Sequence, residues 1–178
     1  MNYWTDLYTE IAKRITDQLP EVVWVDLWHE QIGYLASEHP FGTPAVFLSF
    51  TTVKIDDRSL LVQDVDTQMD VYVYFETFAD TFVGSYNQDT ALAFLGLINK
   101  LYALFHGRSG ANYSTMRRVA MRRVDSGGTG VLYQLSLQFK VVDYSAQVIW
   151  GEGTFSGLET TQGDIKRPEL DNKPLFEL

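Results

Sequence analysis

The sequence predicts a single α+β domain, in which helices cover one face of a mostly antiparallel sheet of about four or five strands. Two segments have apolar residues at the 3.6-residue period of a helix, and five others have the alternation or the continuous apolar composition of strands. Their order, α-β-β-β-α-β-β, places strands in consecutive runs, which is typical of α+β folds. The length of 178 residues fits one such domain.

The first part of the chain predicts one helix and two strands. A helix over residues 2–18, which Pro20 ends, is indicated by a stripe of apolar residues, namely Trp4, Leu7, Ile11, Ile15 and Leu19. Strands are predicted over residues 21–29 and 45–53, on either side of a loop rich in glycine and proline. The second strand, AVFLSFTTV, is almost wholly apolar and is therefore expected in the centre of the sheet. The polar run DDRS at residues 56–59 predicts a turn.

A third strand, VDTQMDVYVYFETF at residues 65–78, has two different faces. Alternate positions on the first face are Val65, Thr67, Met69, Val71, Val73, Phe75 and Thr77. The other face carries Asp66, Gln68, Asp70, Tyr72, Tyr74, Glu76 and Phe78. The first face predicts contact with the core. The second combines acids with tyrosines, so that water, a substrate and another protein all remain open as its surroundings.

A long helix is predicted over residues 87–107, with Asp89 or Thr90 as its N-cap and Gly107 as its C-terminal stop. One apolar stripe comprises Ala91, Phe94, Leu95, Ile98, Leu101, Tyr102 and Phe105, and a second set comprises Leu92, Leu97 and Leu104. Burying a large apolar side chain is worth roughly 1.5–3 kcal/mol. We therefore expect the helix to contact the sheet with one side and another helix or a neighbouring subunit with the other.

The segment after this helix predicts a β-hairpin around DSGGTG at residues 125–130. The core face of its second strand comprises Val131, Tyr133, Leu135, Leu137, Phe139 and Val141, and the expected solvent face comprises Gln134, Ser136, Gln138 and Lys140. From Ala146 the sequence has no sustained period. Residues 1–145 are therefore assigned to the domain and residues 146–178 to an extended or flexible arm, with a short strand near residues 147–150.

The composition excludes several classes of protein and site. Without cysteine the chain has no disulfide, thiolate nucleophile or cysteine-ligated metal, and this composition is compatible with a reducing cytosol. The net charge of −9 argues against a general nucleic-acid coat. The N-terminal segment lacks the apolar region of a secretory signal, and no apolar run reaches the roughly 18 residues of a membrane span. A soluble intracellular protein is the expectation.

The search for catalytic and metal-binding residues gives little. His29, His39 and His106 share no ligand spacing, and no G-x-S-x-G motif is present. Asp64, Asp66 and Asp70 have the parity of one strand face, which would suit Mg²⁺ or Ca²⁺, but the residues of a calcium loop do not follow. A solvated face or an interface is the preferred interpretation. No catalytic residue, metal ligand or cofactor is assigned.

The most unusual feature is a cluster of arginines, formed by Arg108, Arg117, Arg118, Arg122 and Arg123, with no acid among them. In RRVAMRRV the paired arginines point to both faces of a strand. Three hypotheses remain open: ion pairs with the acidic strand of the same subunit, ion pairs with that surface on a neighbouring copy, and contacts to nucleic-acid phosphate. Arginine suits the protein partners because its planar fork binds carboxylates with two hydrogen bonds.

Four segments carry a resemblance to a known family. TPAVFLSF, DVYVYFET, ALAFLGLINKLYALFHG and YQLSLQFKVVDYS follow an N-terminal helix in this order. The layout resembles the small tail terminator (tail completion) and neck proteins of tailed bacteriophages, including prophage copies. The resemblance covers residues 3–145 and rests on element order and pattern, without a diagnostic motif from which a functional residue could be transferred.

The resemblance implies a non-enzymatic virion protein, assembled in the bacterial cytoplasm, that forms a ring, commonly a hexamer. Such a ring caps the tail tube and joins it to the head, so its partners are further copies, the tail tube and neck or head-completion proteins. DNA passes nearby without specific binding, and no membrane is involved.

Two groups of residues are hypothesised to act in such a ring. The subunit interface would comprise Arg117, Arg118, Arg122, Arg123, Asp66, Asp70, Tyr72, Tyr74 and Glu76, and the acids facing the channel would be Asp56, Asp57 and Asp64. Two other functions remain open. One is a small-molecule-binding or enzymatic cone-shaped α+β domain, with a pocket lined by Trp4, Trp24, Trp28, Tyr72 and Tyr74. The other is a component of a contractile injection or secretion apparatus.

Overall fold

The computed structural model describes residues 3–34, 41–76, 81–127 and 130–148. Its elements are α1 (Tyr3–Gln18), β1 (Trp24–Leu27), a 3-10 helix (Gln31–Tyr34), β2 (Ala45–Ser59), β3 (Val62–Phe75), α2 (Gln88–Ala91), α3 (Ala93–Phe105), β4 (Arg117–Val124), β5 (Val131–Asp143) and α4 (Ser145–Val148). The predicted α+β class and the order of helices and strands are confirmed. The predicted helix start at Asn2, Thr77 and Phe78 of the third strand, and the arm beyond Val148 lie outside the described residues.

The five strands form one sheet in the order β1-β2-β3-β5-β4. All neighbours are antiparallel except β1, which runs parallel to β2. Strand β1 is shorter than predicted and pairs only with Ala45–Leu48. From Ser49 onwards β2 therefore forms one edge of the described sheet, and β4 forms the opposite edge. The predicted central position of the second strand is correct only for its first four residues.

The turn predicted at residues 56–59 is wrong, because β2 continues through this run and the chain turns at Leu60 and Leu61. Polar residues remain in this part of the strand because they form cross-strand contacts in water. The Gln63 amide donates to Asp57 at 2.9 Å, and Arg58 contacts Asp64 at 2.7 Å. The result is a hairpin of β2 and β3 that extends well beyond β1.

The main core lies between the helices and one face of the sheet. Leu7, Ile11 and Ile15 of α1 are fully buried, as the predicted apolar stripe requires. They belong to one cluster with the alternate residues of β3 and β5, including Val71 and Leu135. This face of β5 and the core face of β3 are the ones that the alternation predicts.

The predicted long helix is divided into α2 and α3 at Leu92. Asp89 and Thr90 lie inside α2, and the residue before it, Asn87, occupies the N-cap position without a side-chain capping bond, so both predicted caps are wrong. The predicted stop at Gly107 is confirmed, because its φ of +72° lies in the left-handed region that glycine adopts without strain.

The face of α3 that meets the sheet combines residues from both predicted apolar sets. Phe94, Leu97 and Ile98 are buried, whereas Leu95 is 41% exposed. Leu97 takes part because it lies three residues after Phe94, on the same side of the helix.

The end of the described chain also differs from the sequence-based expectation. A short strand was expected near residues 147–150, but Ser145–Val148 form a helical turn, α4. The Asp143 carboxylate accepts a hydrogen bond from the Ser145 N–H at 2.7 Å, which favours a turn over an extended chain. Ile149 and Trp150 lie outside the described residues.

One half-buried attachment ties α1 to the segment before β4. The Glu10 carboxylate accepts hydrogen bonds from the N–H groups of Ala111 and Asn112 at 2.8 and 3.0 Å, and from the Asn112 amide at 2.8 Å. Three donors share one carboxylate, so this contact is stronger than an exposed ion pair.

We expect Glu10→Ala to lower the free energy of unfolding by about 2 kcal/mol, because three donors lose a charged acceptor. Denaturation in urea measures the change. The control is Asp17→Ala on the same helix, whose ion pair with Lys13 is exposed and worth less than about 1 kcal/mol. Equal losses in the two variants would contradict the role assigned to Glu10.

We also expect a chain that ends at Val148 to fold cooperatively with an almost unchanged urea midpoint. The buried residues of the main core lie between Leu7 and Val141. Intrinsic fluorescence and circular dichroism measure the transition. A truncated chain that fails to unfold cooperatively would show that residues 149–178 complete the core.

Candidate functional site

Strand β4 displays its arginines on both faces of the sheet edge. Seven of its eight residues, Arg117 to Arg123, are exposed. A bulge between Arg118 and Ala120 shifts the alternation, so that Arg117 and Arg122 lie opposite Gln138 and Gln134 of β5. Arg118 and Arg123 lie on the helix face of the sheet. The expectation that the arginines occupy both faces is therefore met by their register.

The arginines have few partners within the described chain. The Arg122 Nε donates to Gln134 Oε1 at 2.7 Å, and the Arg118 guanidinium lies 3.8 Å from the centre of the Tyr102 ring. Arg117 and Arg123 have no ion pair, side-chain hydrogen bond or ring contact to a described residue. Ion pairs between β4 and the acids of β3, one of the three hypotheses, are not formed between described residues, because β5 separates the two strands.

The acids of β3 are already satisfied inside the chain. Asp64 contacts Arg58 at 2.7 Å, and Asp66 contacts Lys140 at 3.2 Å. Asp70 accepts hydrogen bonds from Ser136 and Gln68. Within residues 3–34, 41–76, 81–127 and 130–148, no three acids or histidines are grouped closely enough to hold a metal ion.

The acids hypothesised to face a channel lie together on the β2–β3 hairpin. Asp56 is the cross-strand neighbour of Asp64, and Asp57 is the neighbour of Gln63. Asp56 contacts Lys54 at 2.6 Å, and both side chains are more than half exposed. The hairpin therefore presents acids on both of its faces, near the open edge of β2.

The two tyrosines of the acidic face lie in a second, smaller core. Tyr72 stacks on Trp28 with ring centres 4.2 Å apart, and Tyr74 is only 2% exposed beside Phe41 and Leu132. A Cβ on Gly130 would lie 2.2 Å from the Tyr74 ring, so this position requires glycine. Tyr74 is therefore part of the chain's own core and is not accessible to a partner.

The predicted solvent face of β5 is wrong for two of its four residues. Gln134 and Ser136 are each 5% exposed, and each contacts a side chain of a neighbouring strand: Gln134 accepts a hydrogen bond from Arg122, and Ser136 donates one to Asp70. Gln138 and Lys140, further along the strand, are exposed as predicted.

Phe41 and Phe47, which form the second core with Trp28 and the tyrosines, were not assigned there from the sequence. Trp28 was grouped with the two tyrosines, but as the lining of a pocket. The available signal was the aromatic character of Phe41 in the loop and of Phe47 in the strand.

Both open edges of the sheet carry exposed apolar side chains. On β2, Val53 and Ile55 are 57% and 51% exposed, and on β4, Val119 and Met121 are 50% and 47% exposed. Exposed apolar side chains on the edge strand of a sheet are typical of surfaces that associate with another strand.

An aromatic groove lies where β1 ends and the open edge of β2 begins. Its volume is about 430 Å³, and its lining includes Trp4, Tyr8, Trp28 and Phe50. The Trp4 and Phe50 ring centres are 5.9 Å apart. Of the five aromatic residues proposed for a pocket, Trp4 and Trp28 line this groove. Trp24 contacts Phe41 instead, and Tyr72 and Tyr74 lie in the second core.

The histidines have local structural partners. The His29 Nδ1 lies 3.2 Å from the Leu27 carbonyl, and the His106 Nδ1 accepts a hydrogen bond from the Arg118 N–H at 3.1 Å. His39 lies outside the described residues. Glu76, the last of the hypothesised interface residues, follows β3 and is exposed.

The geometry defines a class of protein by its fold: an α+β domain with a five-stranded mixed sheet, helices on one face and two strand edges that no other described strand covers. Comparison of the sequence with models of known protein families and with curated proteins gives no match. None of the described helices is long and apolar enough to cross a lipid bilayer.

The second core predicts an alkaline loss of stability. Burial is the main cause that raises the pKa of Tyr72 and of Tyr74 above the ordinary tyrosine value. The negative charge of Asp70 raises the pKa of Tyr72 further, and that of Glu76 raises the pKa of Tyr74. Because the unfolded chain ionises first, we expect stability to be fully present below about pH 10 and to be lost as pH rises from there through the folded pKa values.

Urea midpoints measured across this alkaline range test the expectation. Tyr72→Phe and Tyr74→Phe should each reduce the loss, because phenylalanine does not titrate. The matched control is Tyr86→Phe, which removes the hydroxyl of a fully exposed tyrosine outside the second core. The same slope in all four proteins would exclude the second core as its cause.

Proposed function

We propose that the protein is a non-enzymatic structural component of a tailed phage or prophage, of the tail terminator or neck type. In this proposal copies of the chain form a ring that caps the tail tube and joins it to the head. The ring belongs to the virion after assembly in the bacterial cytoplasm, and DNA passes through it without sequence-specific contacts.

The observation that carries the proposal is the arginine-bearing open edge β4. An exposed strand edge with apolar side chains favours association with another chain, and evolution usually blocks it when association is harmful. Arg117 and Arg123 have no partner among the described residues, although the chain is strongly acidic overall. A protein partner with carboxylates beside an open strand would satisfy both features.

The order of elements gives further support. The sequence resemblance to tail terminator and neck proteins rests on a helix, three strands, a helix and a hairpin, and the described fold has this order with α2 and α3 in place of one helix. The β2–β3 hairpin places Asp56, Asp57 and Asp64 together on an exposed projection. Negative charge on such a projection would repel DNA phosphates and allow DNA to slide past.

The aromatic groove favours a second candidate function, the binding of an apolar small molecule between α1 and β2. Its residues Trp4 and Trp28 would report binding through their fluorescence. A monomeric protein that binds an aromatic probe in this groove would support the second candidate against the first.

A test of the first candidate uses purified tail tubes, since contact with the tube can be required for the ring to form. We expect the protein to bind tube ends and to appear as rings in negative-stain images. Arg117→Glu combined with Arg123→Glu should abolish rings without changing thermal unfolding, because neither side chain has a partner inside the described chain.

The matched control is Lys13→Glu combined with Lys100→Glu, which changes the net charge equally but alters only exposed ion pairs on the helices. It should still form rings. A wild-type protein that neither binds tubes nor forms rings would refute the proposal, and a loss of rings in the control as well would assign the effect to net charge alone.

A further inference from the structure

We propose that β4 of one copy pairs with the open edge of β2 of a second copy, so that the sheet continues from subunit to subunit. This inference deepens the proposed function by naming the surfaces through which the copies meet. It rests on the proposed function only in assuming that the copies close into a ring. It also moves the interface away from the β3 residues Asp66, Asp70 and Tyr74, which the chain itself already satisfies or buries.

The two edges have compatible directions. Strand β2 is antiparallel to β3, β3 to β5, and β5 to β4, so β2 and β4 run in opposite directions. When two copies lie side by side with their helices on the same side, β4 of the first is antiparallel to β2 of the second. Such an arrangement continues the antiparallel hydrogen-bonding pattern of the sheet.

The end of β1 sets the register. Because β1 occupies the edge of β2 as far as Leu48, a new strand can begin only at Ser49. From there β2 offers eight regular positions up to Asp57, with Val53 as an extra bulge residue. We place Val124 opposite Ser49, which uses the first seven of them.

Strand β4 also has seven regular positions, with Val119 as its bulge residue. The Arg118 N–H already donates to His106 Nδ1, so the new backbone hydrogen bonds would come from Ala120 to Val124, and Arg117 and Arg118 would take part through their side chains.

In this register the two bulges lie at neighbouring steps, and side chains on the same face of the sheet meet. The opposed pairs are Val124 with Ser49, Arg123 with Phe50, Arg122 with Thr51, Met121 with Thr52, Ala120 with Lys54, Arg118 with Ile55 and Arg117 with Asp56.

This register provides contacts for Arg117 and Arg123, which have no partner among the described residues. Arg117 would meet Asp56 on the acidic face, where opposite charges directly across two strands stabilise the pair. The present partner of Asp56, Lys54, is held only by an ion pair that is more than half exposed, so Asp56 can accept the arginine as well.

Arg123 would lie beside Phe50 and Trp4, at the mouth of the aromatic groove, which suits a guanidinium over an aromatic ring. The groove would then be the receptor for a side chain of the neighbouring copy.

The contact joins two different edges and is therefore heterologous. A heterologous contact leaves one free β2 edge and one free β4 edge at the ends of every chain of copies, so that growth stops only when a ring closes. A two-fold contact of β4 with β4 would instead end at a dimer and would bring like charges together.

Cysteine cross-linking tests the register directly, because the chain has no cysteine of its own. Thr51→Cys and Arg122→Cys variants are prepared separately, mixed and oxidised, and a second mixture combines Asp56→Cys with Arg117→Cys. Within one chain these positions lie on strands three spacings apart and are also displaced along the strands, so they are separated by at least about 14 Å. A disulfide needs Cα atoms within about 7 Å and can therefore form only between copies.

We expect a mixed disulfide in both matched mixtures. Each variant alone should form none, and the mismatched mixture of Asp56→Cys with Arg122→Cys should form far less. Arg117 has no partner in the described chain, so the second mixture remains informative even where loss of the Arg122 contact to Gln134 weakens folding.

Three results would overturn the interface: no mixed disulfide, equal yields in matched and mismatched mixtures, or a dominant disulfide of Arg122→Cys with itself. Rings in negative-stain images without matched disulfides would refute this interface and leave the ring intact. Matched disulfides in a protein that neither closes rings nor binds tail tubes would retain the interface and refute the proposed function.

Discussion

The antiparallel pairing of β3 with β5 is the interaction on which the rest of the structure depends. It runs without interruption from Gln63–Asp143 to Phe75–Val131 and fixes which side chains share a face. On one face the alternate residues of both strands meet α1 and α3. A slip of one residue would turn every one of these side chains to the opposite face, so the register is strongly determined by burial.

The same pairing explains why the acids of β3 are poor candidates for an interface. A central strand has both of its edges occupied, and its polar side chains find partners on neighbouring strands. Asp66 is paired with Lys140 of β5, and Asp70 with Ser136 of the same strand. The capacity for new backbone pairing is left to the edges, where β4 carries the arginines and the far half of β2 carries Asp56 and Asp57.

The second core shows how an aromatic face can be misinterpreted. In sequence, Tyr72 and Tyr74 alternate with apolar residues as surface positions would. In the fold Trp28 and Phe41, from the segment between β1 and β2, pack against them in a small cluster. On the same face of the sheet, Gln134 and Ser136 of the neighbouring strand β5 are also buried. Glycine at position 130 belongs to the same arrangement, since a larger residue would collide with the Tyr74 ring.

The sequence by itself determined the class of fold, the core faces of α1, β3 and β5, the hairpin of β4 and β5, and the end of α3 at Gly107. These features depend on local periodicity and on backbone preferences, both of which are set by residues that are close together in sequence. It did not determine that β1 stops at Leu27, that β2 passes through the polar run at residues 56–59, or that Tyr74 is buried. Only the tertiary structure decided these points, because the length of a strand and the cover of a face depend on residues that are distant in sequence. For the same reason RRVAMRRV could be recognised as unusual from its letters, but its position at an open edge required the fold.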